Sequence, residues 1–331
     1  MNVTIKDIAK LAGVSYSTVS KALNNSPLVR PDTKQRIVEL AGQLGYEPNL
    51  IAKSLVQKRS MTVGILLPSI ERVALSALVE RIHDALAQRG YEVILSILTI
   101  KDAIRLFQRL KVDGIVIFEE ISPEERMSFP IETELPMVSI GSSHVRGSRY
   151  AMVDVNRREA IKQAVHYLAQ HGHERICYVG DARAIDQKQQ EKVVGYLEGI
   201  QANPSCSDHS QIINSGGNLW QEGFAAGRQF LALDRRPTAV VSGAYHVTAG
   251  FLRALLEAGL TVPKDLSLIS YDHIPQLAQL EVPITAVGTP VTLLAEQVAA
   301  SLVRVMNSKE PIHLQEWLEV LIAERHSCES L

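Results

Sequence analysis

The feature that most constrains this chain is Thr4 to Asn24, TIKDIAKLAGVSYSTVSKALN, where apolar residues recur at helical spacing on both sides of one glycine. Ile5, Ile8, Ala9, Leu11 and Ala12 mark a first helix, with Thr4 placed to cap it and Asp7 in its first turn. Gly13 ends that helix, and Val14 fits the inner side of a turn. Ser15 can then cap a second helix whose buried stripe is Val19, Ala22 and Leu23. Two short helices meeting at so tight a turn form a probe the width of a DNA groove. Tyr16, Ser17, Ser20, Lys21 and Asn24 are left facing out, and these side-chain types read base edges or hold phosphates. On spacing alone, an ordinary αα-hairpin with a polar face remains the competing reading.

A chain of 331 residues exceeds the usual single core, so two or three domains are expected. The formal charge of −2 hides a split: residues 1 to 60 hold nine Lys or Arg and four acids, +5, which leaves −7 for the remainder. A small basic head on an acidic body confines any polyanion contact to one end. Three cysteines, Cys177, Cys206 and Cys328, fit neither a disulfide framework nor metal-ligand spacing, so a reducing cytoplasm is expected. No signal peptide precedes Thr4, and no apolar run reaches membrane-spanning length.

Beyond the second helix, Pro27 to Pro31 interrupts the chain. A third helix is expected from about Asp32, read as its cap, with Ile37, Leu40, Ala41 and Leu44 on one side and Gly45 as its stop. Tyr46 to Asn49 makes an extended link. The segment Asn49 to Leu55 is too short to be a stable helix alone and needs DNA or a partner chain to hold it.

The order T-I-K-D-I-A-K-L-A-G-V-S, T-V-S-K-A-L-N, L-G-Y-x-P-N and A-x-S-L between Val3 and Leu55 resembles the DNA-binding headpiece of the lactose/galactose repressor family of bacterial transcription factors. The resemblance implies that Tyr16, Ser17 and Lys21 read bases in the major groove, with Thr4, Ser15, Thr18, Ser20 and Asn24 near the backbone. It also implies a hinge helix over 49 to 55, formed when two chains pair on operator DNA, with Asn49, Ala52 and Leu55 as DNA contacts. Leu55 would wedge into a minor-groove step and kink the duplex. Lys21 replaces the Arg more usual there, which alters the expected operator.

After Ser60 the texture changes to short apolar strands alternating with helices. Strands are expected at 62–67, 92–98, 113–118, 137–140, 151–155, 175–180, 238–243 and 266–271, with helices near 72–89, 102–110, 156–171, 187–201, 219–233 and 246–258. Such a pattern indicates parallel sheets covered on both faces, two doubly wound units with a ligand cleft between the carboxyl ends of their strands. The segments 285–290, 291–307 and 317–322 are read as crossing back and serving as hinges.

This body resembles the effector-binding core of the same family, related in fold to periplasmic sugar-binding proteins, through HGHERICYVG (171 to 180), Gly195-Tyr196, PTAVV (237 to 241), LSLISYD (266 to 272) and AERHS (323 to 327). The expected fold class is α/β: a three-helix helix-turn-helix headpiece plus hinge helix, then a periplasmic-binding-protein-like core of two doubly wound subdomains. The expected boundaries are a DNA-binding domain at 1–47, hinge and linker at 48–60, and a core at 61–331. Within the core, the N-subdomain takes about 61–155 and 291–316, and the C-subdomain about 156–290 and 317–331.

Candidate effector contacts are Lys188, Lys192, Asn218, Tyr245 and Asp272. Asp272 matches a family carboxylate that accepts from ligand hydroxyls, with a hinge or capping carboxylate as the alternative. Lys192 stands where the family usually has Arg, Gly141 where a sugar-binding Asp is common, and Ala244-Tyr245 replaces an Asn-Asp pair. Lys188 and Lys192 are four apart, so both can face the cleft and favour an anionic effector such as a sugar acid or sugar phosphate; a solvated lysine face is the alternative. His171-Gly172-His173 and the neighbours Asp272 and His273 are read as neither a metal site nor a catalytic pair, and no enzyme activity, metal or cofactor is expected.

The implied partners are double-stranded operator DNA, a sugar or sugar-acid effector and a second copy of the chain, with no membrane and a cytoplasmic, nucleoid-associated location. No leucine heptad follows the core, so a homodimer without a tetramerising tail is expected. The alternatives are a solute-binding protein, for which a basic headpiece has no purpose, and an architectural DNA-bending protein, which needs no cleft-bearing body. A dinucleotide enzyme would need a Gly-rich turn after the first strand, and Leu67-Pro68-Ser69-Ile70 offers none.

Overall fold

Local chemistry accounts for each boundary in the first three helices. Around α1 (Ile5–Ala12), the Asp7 carboxylate accepts from the Thr4 backbone N–H at 2.9 Å and from the Thr4 hydroxyl at 2.6 Å. These bonds, the hydroxyl's first, hold the Asp7 pKa below the usual carboxylate range. Gly13, at φ 64°, takes the left-handed turn that closes the helix. Ser15 Oγ then accepts from Thr18 N at 3.1 Å and starts α2 (Tyr16–Leu23). The third helix, α3 (Pro31–Gln43), corrects one expectation: Arg30 holds the cap position, and Asp32 lies in the first turn. Proline at the first helical position, with φ already set, determines the start instead. Ile8, Val19 and Ile37 are fully buried at the centre of this bundle, joined by Val29 from the turn before α3.

The computed structural model describes residues 3–23, 25–46, 59–118, 131–141, 145–184, 186–209 and 211–331, and it divides into two units, Met1–Ser60 and Met61–Leu331. The second unit begins β1 (Thr62–Leu66), α4 (Val73–Ala87), β2 (Glu92–Ser96), α5 (Ile100–Leu110), β3 (Gly114–Phe118), β4 (Ile131–Thr133), β5 (Met137–Ile140), β6 (Val145–Gly147) and β7 (Arg149–Val155). It continues α6 (Arg157–Gln170), β8 (Ile176–Gly180), α7 (Gln187–Ala202), β9 (Gln211–Asn214), α8 (Trp220–Leu231), β10 (Ala239–Ser242), α9 (Tyr245–Glu257) and β11 (Ser267–Tyr271). The last elements are β12 (Thr285–Gly288), α10 (Val291–Asn307), β13 (Ile312–Leu318) and β14 (Leu321–Ala323).

Two six-stranded sheets result, ordered β13-β7-β5-β3-β1-β2 and β14-β12-β11-β10-β8-β9, with β4 and β6 pairing apart. All strand pairs in both are parallel except β12 with β14, which run antiparallel. The continuous apolar runs follow from burial on both faces. In β3, Val116 and Phe118 join one core cluster while Ile115 and Ile117 join another; in β8, Cys177 and Val179 alternate with Ile176 and Tyr178 in the same way.

The chain passes between the sheets three times: between β7 and α6, between β12 and α10, and between β13 and β14. The stretch 317–322, read as crossing back, divides between the sheets, Trp317 and Leu318 ending β13 in the first and Leu321 and Ile322 opening β14 in the second. Thr289 Oγ1 donates to Glu319 O at 2.7 Å and ties the second crossing to the third. β9 and most of β13, each at a sheet edge, were not anticipated, and neither were the paired β4 and β6.

Candidate functional site

In the first unit, the polar face of α2 is fixed by its own cap. Ser15 Oγ lies 2.9 Å from Ser17 Oγ and 2.8 Å from Thr18 Oγ1, so three hydroxyls cluster at the helix start, where backbone N–H groups favour an anion. Tyr16 is 56% exposed; Ser17 and Lys21 are exposed beside it, while Thr18 and Ser20 are half-buried. Thr4 belongs to the cap of α1. Tyr16, Ser17 and Lys21 thus share one accessible helix, and Arg36 donates to Ala12 O at 2.8 Å. Asn24, Asn49, Ala52 and Leu55 lie outside the described residues.

In the second unit, a cavity opens at the carboxyl ends of strands from both sheets, where open α/β folds bind ligands. Its free space is about 130 Å³. Helix α7 supplies Lys188, Gln189 and Lys192 to it, β11 leads into Tyr271, Asp272 and His273, and Arg72 enters from the segment before α4. Helix α7 is anchored on the second sheet by Tyr196, whose hydroxyl donates to Ile176 O at 2.9 Å and accepts from Gln211 N at 2.9 Å.

Lys192 is buried, donates to Gly243 O at 2.7 Å and sits 4.1 Å from the centre of the Tyr271 ring. Burial pushes its pKa down to about 8, against the pull of Asp272. Asp272 has φ 78°, a strained conformation for a non-glycine, and its Oδ2 accepts from Tyr245 N at 2.9 Å. The carboxylate therefore caps α9 while also lining the cavity. Lys188 Nζ reaches Ile140 O at 3.4 Å, and its stem lies across Gly141. A Cβ at Gly141 would stand 2.9 Å from Lys188 Cε, so the missing side chain at 141 makes room for the lysine.

The cavity thus brings together Lys188, Lys192 and Asp272. Tyr245 and Asn218 are not among the residues lining it: the Tyr245 ring meets His246 edge-on at 5.4 Å, and Asn218 Oδ1 is buried without a hydrogen-bond partner among the described residues. Sequence reasoning missed Arg72, Arg157 and Gln189. Gln189 was signalled by its place three residues before Lys192, on the same helix face. Arg157 is locked by Asp154 at 2.7 Å and Glu191 at 3.5 Å, beside the first crossing between sheets. Across the cavity's margin, Val73 N donates to His246 Nε2 at 3.2 Å, joining α4 of the first sheet to α9 of the second.

His173 engages Thr238 Oγ1 at 3.0 Å and Ser267 Oγ at 2.9 Å as a buried structural residue, and His273 Nδ1 faces Gly288 O at 3.3 Å rather than Asp272. Among the described residues no cluster of three His, Cys, Asp or Glu could hold a metal, and no helix is long and apolar enough to cross a membrane.

A helix-turn-helix unit in one chain with a two-sheet cleft defines a ligand-responsive DNA-binding regulator. Residues 4–49 match the model of bacterial regulatory proteins, lacI family, and residues 165–328 match that of the periplasmic binding protein-like domain. The chain is 30% identical over 313 residues to the probable HTH-type transcriptional repressor ExuR of Bacillus subtilis, covering 93% of each protein. It is 28% identical over 314 residues to catabolite control protein A of Priestia megaterium, covering 93% of this chain and 94% of that one. The crystal structure of the lac repressor dimer bound to operator and the anti-inducer ONPF superposes over 100% of both chains, with a TM-score of 0.79 at 22% identity. The chain belongs to the lacI family of bacterial regulatory proteins, as a DNA-binding regulator of transcription and not an enzyme.

Proposed function

We propose that this protein is a repressor of carbohydrate-catabolism genes. It binds a palindromic operator as a homodimer and changes its operator affinity when a small sugar-like effector occupies the cleft of the second unit. The observation that carries this reading is the pairing, in one chain, of an exposed Tyr16, Ser17 and Lys21 face with a cavity lined by buried polar groups. On this reading 1–47 is the DNA-binding domain and 48–60 the hinge and linker. The core at 61–331 divides into an N-subdomain at about 61–155 and 291–316 and a C-subdomain at about 156–290 and 317–331.

Tyr16, Ser17 and Lys21 contact bases. Thr4, Ser15, Thr18, Ser20 and Asn24 hold the backbone, and Asn49, Ala52 and Leu55 act at the operator centre. Lys188, Lys192 and Asp272 meet the effector, with Asn218 and Tyr245 as further contacts. The protein works at the nucleoid in the cytoplasm. Occupancy of the cleft shifts the balance between two arrangements of the sheets, and by reciprocity operator DNA alters effector affinity by the same factor. Selection from a random duplex pool by gel shift, with and without candidate metabolites, tests the reading. A palindromic consensus whose binding a metabolite alters supports it. Sequence-indifferent binding, or selective binding that no metabolite changes, overturns it.

A further inference from the structure

The cavity's lining carries more information than its location. Four cations line it, Arg72, Arg157, Lys188 and Lys192, against two carboxylates, Asp186 and Asp272. Arg157 is matched from behind by the buried Asp154, and by Glu191, whose side chain is 35% exposed and so screened by water. Each lining carboxylate also sits at a helix start: Asp186 Oδ1 accepts from Lys188 N at 3.1 Å, and Asp272 Oδ2 accepts from Tyr245 N at 2.9 Å. Part of their charge is thereby offset by backbone dipoles. With Arg157 set aside, three cations still face two carboxylates, so the lining is net positive.

A second, independent observation concerns Gln189. Its side chain is 3% exposed, it lines the cavity, and its Oε1 has no hydrogen-bond partner among the described residues. A buried acceptor left unpaired costs about 1–3 kcal/mol, so the site is built for a molecule that brings a donor to it. Asp272 asks for the same, because only its Oδ2 is engaged by the helix cap. Size is the third constraint. About 130 Å³ of free space, against about 10–15 Å³ needed to admit one water, leaves room for a ligand of monosaccharide size.

Taking the cavity as the effector site proposed above, we propose that it binds a polyhydroxylated monocarboxylate of monosaccharide size. Its carboxylate lies among Arg72, Lys188 and Lys192, and its hydroxyls donate to Gln189 Oε1 and Asp272 Oδ1. Arg72 comes from the segment leading into α4 and the lysines from α7, so the carboxylate bridges the two halves of the core and favours their approach.

Isothermal titration of the full chain with D-galacturonate, D-gluconate, D-galactose, D-glucose and D-glucose 6-phosphate tests this. The expected result is that one of the two carboxylates binds at least tenfold tighter than every neutral sugar and than the phosphate. Lys188→Met should reduce carboxylate affinity tenfold or more, a larger factor than any loss for the neutral sugars, whereas Gln189→Leu should weaken both alike. A neutral hexose binding as tightly as the carboxylates overturns the proposal and leaves the effector reading standing, as does tightest binding of glucose 6-phosphate. If none of the five binds while another class of compound alters operator affinity, the proposal fails alone. If no compound alters operator affinity, both fail.

Discussion

The face of α2 and the cavity between the sheets place polar groups under opposite conditions. On α2, Tyr16, Ser17 and Lys21 project into water, and the cap at Ser15 is satisfied within its own turn. In the cavity, Lys192 and Gln189 are nearly removed from water, and one of them lacks a partner for its oxygen. The first region can change its recognition residues at little cost to folding. The second stores unfavourable free energy, which on the proposed function a ligand relieves, coupling its occupancy to the stability of the whole core.

The sharpest way to break that comparison is the double substitution Tyr16→Ala with Lys21→Ala. On the proposed roles, the loss of two base contacts at about 1–3 kcal/mol each should weaken selective operator binding on the order of a thousandfold, read by fluorescence anisotropy at fixed salt. The thermal midpoint should stay unchanged. A large fall in the midpoint would show that these side chains belong to the fold.

Beneath that face, Ile37 is fully buried, so Ile37→Ala should destabilise the first unit by about 3 kcal/mol, measured by amide hydrogen exchange across α1 to α3. Exchange in the second unit should not respond, because the substitution lies wholly within the first unit's own core.

Lys192 sharpens the other side. Its fall to about 8 from the ordinary lysine value near 10.5 marks about 3 kcal/mol against the charged form at neutral pH. Because the folded pKa lies below the unfolded one, the penalty is present below pH 8 and is relieved as pH rises toward 10.5. Lys192→Met removes that penalty but also the bond to Gly243 O, so the ligand-free protein should gain on the order of 1 kcal/mol while losing its effector response. A destabilised variant in urea titrations would show that Lys192 is structural.

The smallest expected effect concerns three histidines. Burial, before any other cause, lowers the pKa of His173, His246 and His273. Below pH 6.5 the unfolded chain takes up protons that the folded chain resists, so stability is full above that pH and falls beneath it. A drop of a few degrees in the thermal midpoint between pH 7.5 and 5.5 should follow, smaller in His246→Gln. That variant keeps an acceptor for Val73 N without the titration. A midpoint flat over this range would contradict the burial of these rings.

What could be read before folding follows the same division. Thr4, Gly13 and Ser15 act within one turn of themselves, so the sequence showed both their roles and their boundaries. Asp32 misled because the proline before it starts the helix first. The inner strands announced themselves by uninterrupted apolar runs. β9 and β13 did not, since QIIN is short and polar-ended and IHLQEWL alternates exposed with half-buried positions. In the cavity, the pair Lys188 and Lys192 was legible from helical spacing. The approach of Arg72, and the clearance that Gly141 gives to Lys188, depend on strands more than 40 residues apart meeting at one end of the core.

The most direct measurement is anisotropy titration of a selected palindromic operator with the full chain, repeated at saturating effector and with a scrambled duplex. Selective binding with two chains per duplex, shifted at least fivefold by a compound that also raises the core's thermal midpoint, is the predicted result. Equal affinity for both duplexes, or operator binding indifferent to a compound that demonstrably fills the cavity, would contradict the coupling of a surface reader to a buried sensor.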